Sequence, residues 1–417
     1  MRFVVYYVSI METYFGPEFF AGNRQKLRTL FAGTAPIVLT ANGLLQRNGD
    51  VNFPFRQDSN FWYLTGIDEP DIVLVIDKDK EYLILPEREH VKDIFDGALE
   101  SGLMAQVSGI ANILDYKTGW KQLSSRLGRV KHVATLAAPA SYIAGNGMYT
   151  NPARSTLINR LKEFSPSSEL LDLRPQLIRQ RMTKQPEELL AIQKAIDITS
   201  SSLIKANKKL SSYTHEYKLE ADINHMFYDR GVGNAYQPII ASDKNACTLH
   251  YTVNSDVLSA KKLVLIDVGA EVQHYAADIT RTFALEPPSK RVRTIYAAVL
   301  EVQEFAMSKL KPGVLIKDYE HAVEGFMGEK LREIGLLKSI DHDRVRKYYP
   351  HSVSHSLGLD VHDVFDYDRP LEPNMVLTVE PGIYIPKEKI GIRIEDDVLI
   401  TSKGAQVLSN KLPRTLL

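Results

Sequence analysis

The chain carries a single cysteine, Cys247, in 417 residues. No disulfide can close within it, which fits a reducing compartment, and a cytoplasmic location is expected. Neither charge is in excess, since Lys+Arg and Asp+Glu both number 51. That balance lacks the basic surplus needed for nucleic acid or an anionic membrane surface, so neither partner is expected. Long apolar runs are missing as well. The stretch Phe3–Ile10 is apolar behind Arg2, but a membrane span needs roughly 20 such residues, and a signal peptide needs a longer core with a small-residue cleavage site. It reads as a terminal extension, with Met11 an alternative start. No glycine-rich phosphate loop and no internal repeat is visible. What is present is 44% hydrophobic and 24% charged residues, the balance of a globular enzyme.

At about 150 residues per folding unit, this length implies two or three units. Breakers at Ser165-Pro166-Ser167-Ser168 and Arg174-Pro175 predict a boundary there, giving an N-terminal unit over 11–174 and a C-terminal unit over 175–417. In the first, Ile37–Thr40, Asp71–Ile76 and Glu81–Pro86 have the apolar, β-branched character of short buried strands, and Phe19–Thr29 and Trp120–Leu127 the spacing of helices. An α/β layer arrangement follows. In the second, Pro186-Glu187-Glu188 starts a helix that runs to about residue 209, with Leu189, Ile192, Ile196 and Leu203 as its apolar stripe. Helices over Val292–Leu310 and Asp318–Ile334 stand among strand-like runs at 263–268, 276–283, 376–379, 382–385 and 392–400. That segregation predicts an α+β unit with helices packed on a curved antiparallel sheet.

The informative feature is where acids lie within those strands. Leu263–Gly269 is apolar except for Asp267, and Tyr275–Arg281 repeats the arrangement around Asp278. A hairpin turning through Glu271–His274 has its midpoint between Val272 and Gln273, so Asp267 and Asp278 are expected opposite each other, about 5 Å apart at Cβ. The runs Leu377–Gly382 and Gly391–Asp396 flank the polar link Pro386–Lys389 in the same way, and set Glu380 against Glu395. Like charges across a sheet are destabilising, and a buried unpaired carboxylate costs several kcal/mol. Solvated acids at strand ends would explain one such pair; two pairs call for shared protons or for cations between them.

The segment His351–Asp363 adds three imidazoles, His351, His355 and His362. An even separation puts His351 and His355 on one face. Imidazole with several carboxylates is an oxygen-rich set that suits Mn²⁺ better than a structural zinc, and bridging acids would let it hold two ions. Arg393 lies two residues before Glu395 on the same strand face, where a guanidinium would offset the acids and hold a bridging carboxylate. Tyr228, Tyr236 and Tyr384 suit either a substrate pocket or core packing, and Cys247 reads as a small buried filler.

Leu265–Ala270 (LIDVGA), Asp278–Phe283 (DITRTF), His351–Asp363 (HSVSHSLGLDVHD), Thr378–Tyr384 (TVEPGIY) and Gly391–Asp397 (GIRIEDD) together resemble the pita-bread metallopeptidases. Within them the chain resembles the Xaa-Pro aminopeptidases (aminopeptidase P), as Leu249-His250-Tyr251 and the stretch Asn52–Gly66 (NFPFRQDSNFWYLTG) also match. The resemblance implies a C-terminal pita-bread catalytic domain behind an α/β domain of the aminopeptidase P type. It implies two divalent ions, Mn²⁺ foremost with Co²⁺ or Zn²⁺ as alternatives, held by Asp267, Asp278, His355, Glu380 and Glu395, with Asp278 and Glu395 bridging. A hydroxide between the ions would be the nucleophile, and Glu380 would accept its proton. His250 and His362 would orient substrate and stabilise the tetrahedral intermediate, His351 would line the proline pocket, and Arg393 would support the site. The substrate would be a peptide with proline in second position. A closed homo-oligomer, dimer or tetramer, is also implied, its N-terminal domains helping to cover the active sites. The chain departs from the pattern at Ile94–Glu100 (IFDGALE), where relatives carry a Trp and, further on, an Arg; Phe95 is still able to cover a proline ring. Two rivals use the same scaffold: an Xaa-Pro dipeptidase (prolidase), which needs the free carboxylate after proline, and a binding module without catalysis, which would be expected to have lost ligands.

Overall fold

The computed structural model describes residues 13–416 apart from residues 79, 138–142, 144, 146, 259 and 260, so the apolar stretch 3–10 lies outside the described residues. The chain divides between Gln180 and Arg181 into two compact units.

In the first unit, six strands form a mixed sheet in the order Ile113–Leu114, Lys80–Ile84, Val73–Asp77, Ile37–Thr40, His132–Thr135, Glu169–Asp172. The strand expected from Asp71 begins only at Val73, because Asp71 takes a positive φ of 61°, outside the extended range, while its amide donates to the distant Asn42 carbonyl. One core joins the sheet to its helices through Val38, Val75, Tyr82, Trp120, Leu123, Val133 and Leu157. The aromatic stretch 52–66 folds as the helix Ser59–Thr65. Asp58 caps it, accepting from the amides of Asn60 and Phe61, and supplies the donors of the first turn with an acceptor. Gly66 ends it at φ 67°, where an added Cβ would lie 2.4 Å from the Phe20 ring. Arg24, fully buried, donates to Glu81 at 2.8 Å and to the Leu64 carbonyl at 2.8 Å, tying this helix to the sheet.

The second unit is α+β. The helix Pro186–Lys208 starts at Pro186 with Gln185 and Glu188 forming a reciprocal cap. It buries Ala191, Ile192, Ala195, Ile196, Ile198 and Leu203 against the ribbon Ala270–Val272 and Tyr275–Ala276. Each large aliphatic side chain so buried contributes roughly 1.5–3 kcal/mol. Leu189, expected in that stripe, is only half-buried. The helices Lys290–Lys309 and Ile316–Glu333 match their expected spans within two residues and pack on each other.

Among the described residues of this second unit, the paired strands are antiparallel. Leu263–Val268 pairs with Ile239–Ser242 on one side and Ile279–Ala284 on the other. Val376–Val379 pairs with Asp396–Thr401, and Gly382–Ile385 with Ile390–Arg393. Among the described residues no helix is long and apolar enough to cross a membrane.

Candidate active site

The two hairpins carry the acids, and one of them differs from expectation. Asp267 pairs with Thr280, not with Asp278. The turn is the two-residue pair Gln273-His274, both at positive φ (47° and 69°), which is the backbone that short hairpin turns demand. This moves the register by one residue along each arm, so that Val272 faces Tyr275. Asp278 consequently lies diagonal to Asp267, two residues from Thr280 and so on the same face. Beside it the ribbon is interrupted: a Cβ on Gly269 would fall 1.8 Å from the Ala277 carbonyl oxygen, a close approach only glycine permits.

The second hairpin keeps the expected register. Val379 pairs with Asp396 and Gly382 with Arg393, so Glu380 and Glu395 face each other across the gap between those pairs. The segment 353–357 runs beside this ribbon, its bonds linking the Thr378 amide to the His355 carbonyl at 3.0 Å and the Glu380 amide to the Val353 carbonyl at 2.9 Å. It brings the histidines in. His355 Nε2 lies 3.4 Å from both Asp278 and Glu380, and His351 Nδ1 lies 3.7 Å from Glu380. Donor atoms of Asp278, His355 and Glu395 all lie within 4.8 Å of one another. Asp267 joins them through Tyr236, whose hydroxyl is 2.6 Å from both Asp267 and Asp278.

Electrostatics follows from that crowding. Burial raises the carboxyls of Asp267, Glu380 (to about 7) and Glu395, the last far above the usual range because Asp278, Glu380 and Asp267 add their charges. Burial would raise Asp278 too, but its contact with His355 holds it low. Burial opposes a charged His355, and Asp278 and Glu380 outweigh it, raising the imidazole to about 9. Burial lowers His362, which stands edge-on to His355 at 4.2 Å, to about 4.

Polar partners orient these groups. His355 Nδ1 lies 3.1 Å from the Ser356 carbonyl, an acceptor, so Nδ1 carries a proton and Nε2 is the nitrogen that faces the acids, where a cation would displace its proton. His351 is fixed likewise: Nδ1 donates to the Ser352 carbonyl at 2.8 Å, while Tyr384 donates to Nε2 at 2.9 Å and accepts from Arg393 at 3.0 Å. Arg393 was expected to hold a bridging acid, Asp278 or Glu395, but it bonds Asp267 and Thr280. The Thr282 hydroxyl donates to the Arg393 carbonyl and accepts from the Arg393 amide, which seats that strand against Ile279–Ala284, and the guanidinium reaches Thr280 and Asp267.

Several residues here escaped the sequence reading. Thr280 donates to Glu395, and Asp397 accepts from the Asp278 amide at 3.1 Å. Both stand an even number of positions from an acid, a signal that alternation could have supplied. Tyr236, named with Tyr228 and Tyr384 as suiting a pocket or the core, joins acids 31 and 42 residues away, a pairing no local pattern covers. Asp363 is held by Arg181 and by Lys184 at 2.7 Å, all three nearly inaccessible. A Cβ on Gly358 would strike this cluster, lying 2.2 Å from an Asp363 oxygen. The cluster is built on Asp363, the residue that follows His362 in the chain.

The residues present fit divalent ions. The Tyr236 hydroxyl has one proton and cannot neutralise both acids beside it, and three buried carboxylates, the half-buried Glu380 and one imidazole nitrogen make a hard, oxygen-rich donor set. Such a site, on paired ribbons, defines a metallohydrolase class. A profile of the metallopeptidase family M24 matches residues 191–402, and one of the aminopeptidase P N-terminal domain matches residues 20–134. The Xaa-Pro aminopeptidase of Haemophilus influenzae is 35% identical over 89% of each chain, and that of Escherichia coli is 34% identical over 90% of each. Aminopeptidase P from E. coli, solved with the inhibitor Pro-Leu, superposes with a TM-score of 0.84 at 32% identity over 98% of this chain and 97% of that one. The chain belongs to the metallopeptidase family M24, on its Xaa-Pro aminopeptidase branch.

Proposed function

We propose that this enzyme hydrolyses the bond between any N-terminal residue and a following proline, using two divalent ions, Mn²⁺ foremost, held by Asp267, Asp278, His355, Glu380 and Glu395. The observation that carries the reading is the convergence of Asp278, His355 and Glu395 within 4.8 Å, with Asp267 joined to Asp278 through Tyr236. When bound, the ions supply Lewis acidity and lower the pKa of water towards neutrality. The protein's own groups do the rest. Arg393 and Tyr236 hold Asp267, Thr280 holds Glu395, and the Ser356 carbonyl keeps the His355 tautomer that can bind a cation. Glu380, which faces both His351 and His355, accepts the proton during attack. His250 and His362 orient the scissile carbonyl, and a neutral His362 offers it an N–H. His351, held by Tyr384, lines the proline pocket.

The test is turnover of metal-reconstituted protein on Xaa-Pro-Yaa peptides beside Xaa-Ala-Yaa controls and the dipeptide Gly-Pro. The proposal expects Xaa-Pro-Yaa to be favoured strongly. Equal rates on the alanine peptides would remove the proline claim, and a preference for Gly-Pro would make the enzyme a prolidase.

The electrostatics predict a pH profile for the ion-free protein. Raised acids keep their protons in the folded chain after the unfolded chain has lost them, and His355, raised to about 9, does the same at higher pH. Below about 6.5 the lowered His351 and His362 oppose the raised acids, but above it they are neutral in both states, so folding binds protons and stability must fall as pH rises from about 6.5 to about 9. Lowered Asp278 is ionised in both states across that window and adds no slope. Thermal unfolding in EDTA at pH 7, 8 and 9 measures this, and added Mn²⁺ should flatten the fall by displacing those protons. A profile that rises with pH would contradict the assignment.

The proposal extends to a cytoplasmic homo-oligomer, dimer or tetramer. Support for association comes from the helix His90–Asp96, which buries none of its residues and exposes Val91, Ile94 (74%) and Phe95 (79%). Adjacent apolar side chains left exposed in this way mark association surfaces. Replacing Ile94 and Phe95 by serine should shift the sedimentation profile towards the monomer, and an unchanged profile would place the contact elsewhere.

A further inference from the structure

Glu216 opens the helix Glu216–Tyr228 and is completely buried, far in sequence from every acid of the metal site. Its carboxylate collects five hydrogen bonds. Oε1 accepts from the Ser242 amide at 2.8 Å, the Ser242 hydroxyl at 2.7 Å and the Asn245 side-chain amide at 3.1 Å. Oε2 accepts from the Tyr251 hydroxyl at 2.8 Å and the Asp256 amide at 2.9 Å. All five partners are neutral donors, and they saturate the lone pairs of an ionised carboxylate. Such bonds are roughly twice as strong as those between neutral groups.

These partners belong to one stretch of chain. Ser242 and Asn245 stand where the loop leaves the strand Ile239–Ser242, and Asp256 where it returns. Tyr251 stands in the middle, next to His250, its ring packed on Ile239, Ala241, Ala246 and Leu265. A single buried carboxylate thus ties the entry, the middle and the exit of the loop to one helix end. The Glu216 amide strengthens the exit by donating to the Asp256 carbonyl at 2.9 Å. Asn254 adds a second clasp, accepting from the Ile240 amide at 2.9 Å and donating to the Pro238 carbonyl at 2.9 Å. His250 itself is exposed on this loop, close enough for its charge to act on His362.

We infer that Glu216 is a positioning residue whose buried carboxylate aims His250 at the bound peptide. This rests on the proposed role of His250 in orienting substrate. An exposed imidazole has no packing of its own to hold it, so its direction is set by the stiffness of the loop beneath. A displacement of about 1 Å in such a group costs on the order of 100-fold in rate. Glutamine at position 216 keeps the size but turns one acceptor oxygen into a donor NH₂, which opposes donors already there.

The experiment is a double-mutant cycle on the metal-loaded enzyme with an Xaa-Pro-Yaa peptide. Glu216→Gln should lower kcat about 30- to 100-fold with metal content unchanged, and in a His250→Ala background it should cost less than about threefold more. Tyr251→Phe removes one hydroxyl and serves as the milder variant should Glu216→Gln not fold; about a fivefold loss is expected, again largely absent without His250. Equal losses in both backgrounds, or no loss for either variant, would overturn the inference. A His250→Ala enzyme as active as the parent would instead sink the role proposed for His250, and this inference with it.

Discussion

Replacing Asp278 by asparagine should lower kcat/KM on an Xaa-Pro-Yaa peptide by on the order of 10³-fold or more, and bring bound metal below two ions per chain. Asp278 is the acid on which the site converges. One oxygen lies 2.6 Å from the Tyr236 hydroxyl and the other 3.4 Å from His355 Nε2, while its amide donates to Asp397. Asparagine preserves that shape, so the fold should survive. What it loses is the charge and the second acceptor oxygen, without which the side chain cannot bridge two cations. The Lewis acidity of the ions contributes several kcal/mol of transition-state stabilisation, and about 1.4 kcal/mol is a factor of ten. Asp278→Asn enzyme within tenfold of the parent, fully loaded with metal, would refute the bridging role.

Replacing Arg393 by methionine should destabilise the ion-free protein by about 3–5 kcal/mol, the usual cost of leaving one partner of a buried ion pair behind. Arg393 is 5% exposed and Asp267 7%. The guanidinium also bonds Thr280 and Tyr384, so its loss loosens a chain of contacts from Asp267 to His351. In a unit of this size the midpoint of thermal unfolding should fall by roughly 10 °C. With Mn²⁺ present the fall should be smaller, because a cation beside Asp267 replaces part of the missing charge. Arg393→Lys should fall between, since an ammonium restores charge but not a planar fork that reaches three partners. No change in ion-free stability would mean that Asp267 is neutral or solvated there.

Helices were legible wherever a start signal met a periodic apolar stripe, as at Pro186 and in the run from Val292. The hairpin carrying Glu380 and Glu395 was legible because its link, Pro386–Lys389, is polar and short, so its midpoint fixes the register. The hairpin carrying Asp267 and Asp278 was harder to read. Its turn uses Gln273 and His274 at positive φ without any glycine to announce it, and the predicted midpoint fell one residue early. The error left both acids on one face because strand alternation has a period of two. The supports of the site were the least legible part. Tyr236, Glu216 and Asp363 act through partners brought near by the tertiary fold. Although Asp363 closes a matched motif, nothing in sequence names Arg181 and Lys184 as its partners or Asp267 and Asp278 as those of Tyr236.

The most direct test of the account is anomalous diffraction from crystals of the protein grown with Mn²⁺. Two peaks per chain are predicted, enclosed by Asp267, Asp278, His355, Glu380 and Glu395, with Asp278 and Glu395 touching both. A single peak, or manganese bound away from these five side chains, would contradict it.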